Sequence, residues 1–101
     1  MLKLEKLILE TVNEVIRNVF DDEVADMLLR YLDEYNHLSI DERLRLFDET
    51  LPKIFGSGAV IIEDLILETL YSKMGIRLEK REKDFVESIN DLRLVKVKAN
   101  E

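Results

Sequence analysis

The stretch Gly56–Gly75, GSGAVIIEDLILETLYSKMG, decides the fold of this chain. A Gly-Ser-Gly turn opens it, one glycine closes it, and the sixteen residues between them, Ala59–Met74, contain no glycine or proline. Ten of these residues are apolar or aromatic, and at about 100° per residue they cover most of a helix circumference. Because a helix that is apolar nearly all round is normally buried among other helices, we expect residues 59–74 to form the core helix.

The residues at the two ends of this stretch suit helix boundaries. We expect Gly56 to end one helix, Ser57 to cap the next, and Gly58 to permit close approach of the backbone. Gly75 suits the position just past the helix C-terminus. Glycines before a helix also suggest phosphate binding, since free amides there attract anions. However, these glycines follow a helix and complete no glycine-rich nucleotide motif, so the signal for a nucleotide is weak.

Two amphipathic segments come first in the chain. Residues 2–20 carry apolar side chains at helical spacing over about half of the circumference, which predicts a helix packed on more than one neighbour. The sequence allows either two separate helices or one bent helix here. The acids at Asp21–Asp22 favour a break and a new helix start, because they complement the positive end of its dipole. That second helix is expected to run to about Tyr35, with Met27 and Tyr35 inward and Asn36 left-handed at its end.

The strongest local signal in the chain predicts the start of a third helix. Ser39-Ile40-Asp41-Glu42 is a capping box, in which the Ser39 and Glu42 side chains satisfy each other's free amides. The helix that follows carries Ile54 on its inward side. Pro52 lies within this pattern and lacks an amide donor, so we expect a kink or a last short turn there.

The C-terminal segment allows more than one interpretation. Residues 81–93 show helical spacing of apolar side chains and predict a final helix. Leu94–Lys98 instead alternates apolar and basic residues with a period near two. Residues 93–101 therefore fit either a short edge strand or a flexible tail, and the sequence leaves both open.

Composition bounds the fold class. The 101 residues suffice for one domain over 1–101, and 47% hydrophobic with 37% charged residues is unlike a disordered chain. One proline, three glycines and abundant Leu, Ile, Glu and Lys describe a helical protein. We predict an all-α fold, a compact bundle of four or five helices around residues 59–74.

Charge and cysteine content bound the partners and the compartment. The formal net charge is −7, and an acidic surface repels phosphate backbones, which argues against nucleic acid as a partner. The chain contains no cysteine, which fits a cytoplasmic location. Its apolar runs are much shorter than the roughly 20 residues of a membrane span, so no membrane association is expected.

The sequence assembles no catalytic constellation. His37 is the only histidine, and a His-based metal site or triad needs further partners, so we expect it to serve the fold. Glu63, Asp64 and Glu68 invite a metal, but di-iron bundles use Glu-x-x-His pairs, which this chain lacks. We expect Asp64 and Glu68 at the solvent edge and Glu63 to favour the helix N-terminus. No catalytic, cofactor-binding or metal-binding residue is predicted.

Basic residues concentrate near the C-terminus, where Arg93, Lys96 and Lys98 are candidate interaction residues. They lack the interleaved aromatic residues of a nucleic-acid footprint. An acidic partner, or the acidic N-terminal half of the chain itself, would suit them.

Short motifs in the second half of the chain carry a family resemblance. They are Phe55-Gly56-Ser57-Gly58-Ala59, Ile62-Glu63, Ile66-Leu67, Leu70-Tyr71-Ser72-Lys73, Gly75 and Asp84-Phe85-Val86. In them the chain resembles small archaeal helical domains, the Nitrosopumilus-type "output domains", which occur alone or joined to signal-transduction modules. The resemblance covers roughly residues 40–92 and implies an archaeal cytoplasmic signalling domain with no catalytic residues to carry over. Because it is densest at the two ends of the core helix, Gly56, Ser57, Gly58, Tyr71 and Lys73 join the candidate interaction residues.

These observations favour a non-enzymatic protein-interaction or signalling-output module that acts through a helical face. Helices 2–20 and 59–74 offer more apolar arc than a small monomer easily covers, so a homodimer is its simplest form. Two alternatives stay open. One is a DNA-binding transcriptional regulator built on a helix-turn-helix, and the other is a small ligand- or metal-binding bundle using Glu63, Asp64 and Glu68.

Overall fold

The computed structural model describes residues 3–78 and 84–99, without the side chains of Tyr31 and of residues 94–99, and most of these residues are helical. In chain order the helices are α1 (Lys3–Val19), α2 (Asp22–Asp33), α3 (Ile40–Phe55), α4 (Gly58–Lys73) and α5 (Phe85–Ala99). The radius of gyration is 13.2 Å, against about 13 Å expected for a compact domain of this size. The compact all-α bundle predicted from the sequence is confirmed.

Side-chain hydrogen-bond acceptors cap the N-termini of α2, α3 and α5. The Asp21 carboxylate accepts a hydrogen bond from the Val24 amide at 3.0 Å, so α1 and α2 are separate helices with the predicted break. The Ser39 hydroxyl accepts from the Glu42 amide at 3.2 Å, which is the forward half of the predicted capping box. Asp84 plays the same part for α5, because its carboxylate accepts from the Glu87 amide at 2.8 Å.

Glycines with positive φ end α3 and α4. Gly75 has φ +67°, its amide donates to Ser72 O at 3.0 Å, and the Ile76 amide donates to Tyr71 O at 3.0 Å. This pair of bonds is a Schellman motif, which satisfies carbonyls that the end of α4 would otherwise leave free. The left-handed conformation predicted for Asn36 is wrong, since no non-glycine residue in the described part of the chain has a positive φ.

The core lies where α4 meets three other helices. One side of α4, formed by Ala59, Ile62, Ile66, Leu67 and Leu70, is buried, and α1, α3 and α5 pack against this helix. α2 packs chiefly against α1 and α3. The largest fully buried side chains outside α4 are Ile8, Ile16, Leu28, Leu44, Phe47, Leu51, Phe85, Ile89 and Leu92. The predicted core helix is therefore observed within one residue of its expected bounds.

The strand or tail predicted for residues 93–101 is wrong up to Ala99, because α5 continues to that residue. A two-residue alternation specifies a strand only where a neighbouring strand edge can pair with it. The part of the chain that the structure describes contains no strand, so helix continuation is the way to keep these backbone groups bonded. The predicted helix start at residue 81 lies outside the described residues.

Several apolar side chains predicted to point inward are exposed, namely Met27, Tyr35 and Ile54. Ile54 belongs to the last turn of α3, which continues through Pro52 to Phe55 as one helix. Met27 and Tyr35 lie in and just after α2, which is covered by fewer helices than α4. Helical spacing thus predicted the buried side of a helix correctly only where a neighbouring helix covers that side.

Replacing Gly75 by alanine should lower the free energy of unfolding by about 1 kcal/mol, because a Cβ is unfavourable at φ +67° although the space around it is open. Gly58→Ala is the matched control. Its φ is not positive and an added Cβ would meet Phe55 Cβ at an ordinary 3.7 Å, so the change should be neutral or stabilise by up to about 1 kcal/mol. Equilibrium urea unfolding measures both. Equal losses in the two variants would contradict the left-handed role of Gly75.

Candidate functional site

The outer face of α4 is the clearest candidate site. It consists of Ile61, Leu65, Glu68 and Ser72, which lie opposite the buried side and are all exposed. Val60, which precedes Ile61, is also exposed, at the start of the helix. Ile61 is 66% exposed, Val60 54% and Leu65 39%. The prediction that α4 is covered nearly all round is therefore wrong for this face. The reason is that the helices packed against α4 cover only one side of it.

The outer face has an apolar half and an acidic half. Ile61, Leu65, Glu68 and Ser72 follow one another at intervals of four, three and four residues, so they form one line along the helix. The apolar members belong to the N-terminal half of α4 and the carboxylate of Glu68 to its C-terminal half. Asp64, which is half-buried, adds a second acid beside this line, as expected for the solvent edge.

The N-terminus of α4 is not compensated by its own side chains. The first turn contains no acidic residue, and the Ser57 side chain makes no capping hydrogen bond, so the predicted cap is wrong. Ser57 has helical backbone angles (φ −65°, ψ −18°), whereas a capping serine normally has an extended ψ, as Ser39 does at 160°. The Ala59 and Val60 amides reach Gly56 O and Ser57 O at 3.2 and 3.4 Å, long for such bonds.

Two of the predicted interaction residues hold α4 to its neighbours. The Tyr71 hydroxyl is buried and donates to Ser88 O of α5 at 2.9 Å. Lys73 Nζ lies 3.2 Å from Glu14 Oε2 of α1. Both side chains are thus engaged within the bundle, and neither belongs to the outer face.

Arg93 is also engaged inside the molecule. Its Nη2 lies 3.7 Å from Glu5 Oε1 on α1 and 3.4 Å from Asp41 Oδ1 on α3. Of the two partners considered from the sequence, the acidic N-terminal half of the chain is the one observed for this residue. Lys96 and Lys98 fall outside the side chains that the structure describes. Gly56 and Ser57 are exposed and Gly58 is half-buried, so these three lie at the surface where α4 begins.

The carboxylates considered for a metal point in different directions. Glu63 is only 4% exposed, whereas Glu68 is exposed. Within the described residues, no group of three His, Cys, Asp or Glu side chains is placed to hold a metal ion. The predicted position of Glu63 at the helix N-terminus is wrong, since it lies in the second turn on the buried side and has an interaction partner there. Its i+4 spacing from Ala59 and into Leu67 was the sequence signal for burial.

A shallow groove between α1 and α2 is a second candidate site. It measures about 240 Å³ and is lined by Leu9, Glu10, Asn13, Arg17, Leu29, Leu32, Asp33 and Arg43. Its cations are used in the fold, because Arg17 binds Asn13 and Asp26 at 3.0 and 2.8 Å and Arg43 donates to Leu32 O at 3.3 Å. The lining has mixed charge and brings together no nucleophile with a base.

No protein-family model, curated protein or solved structure matches this chain significantly. The resemblance to archaeal output domains therefore stays a prediction. Across the described ranges, none of the helices combines the length and the apolar character that crossing a membrane requires.

Tyr71→Phe should lower the free energy of unfolding by about 1 kcal/mol, because it deletes one buried hydrogen bond to Ser88 O and leaves the ring in place. Tyr35→Phe removes the same hydroxyl from an exposed ring and should change stability by less than about 0.5 kcal/mol. Thermal or urea unfolding of both variants tests the difference. A Tyr71→Phe variant as stable as the wild type would show that the hydroxyl does not fasten α5.

The ion pair between Lys73 and Glu14 should contribute little to the free energy of unfolding, although its two charged atoms are close. Both side chains are partly exposed, and such pairs typically couple by about 0.2–1 kcal/mol. A double-mutant cycle with Lys73→Met and Glu14→Gln, read by urea unfolding, measures this coupling, which should decrease at high salt. A coupling energy above about 2 kcal/mol, or one that salt does not change, would contradict an exposed surface pair.

Proposed function

We propose that this protein is a non-enzymatic interaction module that binds a protein partner through the outer face of α4. The observation that carries the proposal is the 66% exposure of Ile61, in the first turn of α4. Single exposed apolar residues are common on soluble proteins. Here Leu65 is exposed one turn further along the same line, and Val60 is exposed next to Ile61 at the start of the helix. Grouped exposure of this kind marks interaction surfaces.

The size of the patch fits a moderate or transient interaction. Complete burial of one Val, Leu or Ile side chain contributes roughly 1.5–3 kcal/mol, and these three side chains are already partly covered. Association also costs several kcal/mol in lost freedom of motion. We therefore expect the outer face to act as the apolar centre of a small interface, surrounded by polar residues such as Glu68 and Ser72.

A non-enzymatic role is supported by how the polar side chains are used. Tyr71, Lys73 and Arg93 make contacts between helices, and the α1–α2 groove offers no nucleophile with a base. The signalling-output role, the archaeal origin and the cytoplasmic location rest on the sequence resemblance and on composition, and they remain part of the proposal on that basis.

A nucleic-acid partner is less favoured by the charges near the outer face. Asp64 and Glu68 place negative charge on the exposed side of α4, where it repels phosphates. Lys73 and Arg93 lie against acidic side chains of the same chain. A protein surface with an apolar patch is the better complement.

Site-specific photo-cross-linking in the cell tests the proposal. A photoreactive residue is introduced at Ile61 and, as the control, at Glu49, an exposed position of α3 outside the outer face. We expect a discrete protein adduct from position 61 only, because a partner covers that face. Leu65→Lys in the same chain should remove the adduct, whereas Arg45→Glu, an exposed α3 change, should leave it.

Mass spectrometry of the adduct shows whether the cross-linked chain is this protein or another one. Similar adducts from positions 61 and 49, or an adduct that survives Leu65→Lys, would contradict binding through the outer face.

A further inference from the structure

We infer that the partner on the outer face of α4 is a second copy of this chain, packed with its α4 antiparallel across a two-fold axis. This inference rests on the proposed function, since it takes the outer face to be a binding surface. It adds the identity of the partner, the direction of the two helices and the residues that face one another.

The spacing on the outer face is that of a helix–helix seam. Ile61, Leu65, Glu68 and Ser72 are separated by four, three and four residues, the same alternation that lines the contact between paired helices. Two such lines pack with their helix axes about 8–10 Å apart. A single helix of a partner therefore fits this face along its length.

The distribution of charge decides the direction of that helix when the partner is a second copy. A parallel pair would place Glu68 beside the other Glu68, and like charges in contact oppose association. An antiparallel pair avoids this. We place Ile61 of each copy opposite Leu65 of the other. The two-fold axis then crosses the helix pair at the level of residue 63, halfway between these two positions, and the Ile61–Leu65 contact occurs twice.

In this register each Glu68 faces a complementary group. Glu68 lies five residues to one side of position 63 and Gly58 five residues to the other, so Glu68 of one copy lies opposite Gly58 of the second. Gly58 begins α4, and the first turn of α4 has no acid and no side-chain cap. The Glu68 carboxylate thus supplies the negative charge that the positive end of the opposite helix lacks.

The arrangement is closed and self-complementary. Each copy offers the same apolar half and acidic half, so two copies satisfy one another and leave no third surface to extend the assembly. The net charge of −7 on each chain opposes association over longer distances. Measurements therefore belong at near-physiological salt, where that repulsion is screened beyond about 8 Å.

Sedimentation equilibrium on purified full-length chain tests the dimer. The wild type should pass from monomer to dimer at concentrations between about 10 µM and 1 mM, the range of weak interfaces. Ile61→Lys should remove the dimer, because it places a charge at the centre of the seam. Glu68→Lys should weaken it about tenfold, since a cation at a helix N-terminus is unfavourable.

Glu49→Lys is the matched control for Glu68→Lys. Both variants change the net charge equally, but Glu49 lies on an exposed side of α3, so its replacement should not weaken the dimer. Far-UV circular dichroism checks that each variant is folded, which is expected because all of these side chains are exposed. Equal effects of the two lysine variants, or a dimer that persists with Ile61→Lys, would overturn the assigned face.

The direction of the helices is measured with one spin label per chain. The sequence has no cysteine, so Ser72→Cys gives a unique site for labelling. Ser72 lies nine residues from position 63, and at about 1.5 Å per residue an antiparallel pair separates the two labels by roughly 30 Å. A parallel pair would bring them to roughly 10–15 Å, and that result would overturn the antiparallel arrangement.

The result for self-association is separable from the result for the proposed function. A chain that stays monomeric up to about 1 mM, with a cross-link from position 61 to a different protein, overturns the second copy as partner and leaves the interaction module standing. A monomer without any adduct specific to position 61 overturns both. A dimer whose cross-link joins two copies of this chain supports both.

Discussion

Burial of one side of α4 is the interaction on which the rest of the structure depends. Ala59, Ile62, Ile66, Leu67 and Leu70 are almost completely enclosed, and α1, α3 and α5 are each held in the bundle by packing on this helix. Fully burying one such aliphatic side chain contributes roughly 1.5–3 kcal/mol, which is large beside the few kcal/mol of net stability that a small domain retains. The directed contacts around α4, from Tyr71 to Ser88 and from Lys73 to Glu14, add smaller amounts and fix how the helices are aligned.

The same arrangement leaves the opposite side of α4 facing outward. Three helices gathered on one side cover about half of a helix, and the remaining apolar residues, Ile61 above all, lie at the surface. In the proposed interaction, one segment serves both as the core helix and as the binding helix. The buried side needs its apolar residues for stability, whereas a polar residue in place of Ile61, which is 66% exposed, would cost the isolated monomer little stability. The proposed interaction gives the apolar outer face a role that folding alone does not.

The sequence predicted the helices well because their ends are chemically marked. Asp21, Ser39 and Gly75 supply a cap, a capping hydroxyl and a left-handed turn, and helical spacing filled the segments between them. The sequence could not predict which part of a helix that is apolar nearly all round is covered. The covered part depends on the number and placement of the neighbouring helices and not on the helix itself. The exposure of Ile61 was missed for this reason.

The candidate site residues were predicted less well. The burial of Glu63 was open to prediction from its spacing, but its acidic character led to the prediction that it lies at the solvent edge and favours the helix N-terminus. Of the candidate site residues, three make contacts between helices of the bundle, namely Tyr71, Lys73 and Arg93.

Native-state amide hydrogen exchange tests the central claim that α4 organises the bundle. Amides in the middle of α4, such as those of Ile66 and Leu67, should exchange only by global unfolding, so the free energy from their exchange should equal that from urea denaturation. Amides of α2, which packs chiefly on α1 and α3, should exchange by smaller openings with lower free energies. If the middle of α4 exchanged through openings of lower free energy than those of α2, the account of α4 as the core helix would be contradicted.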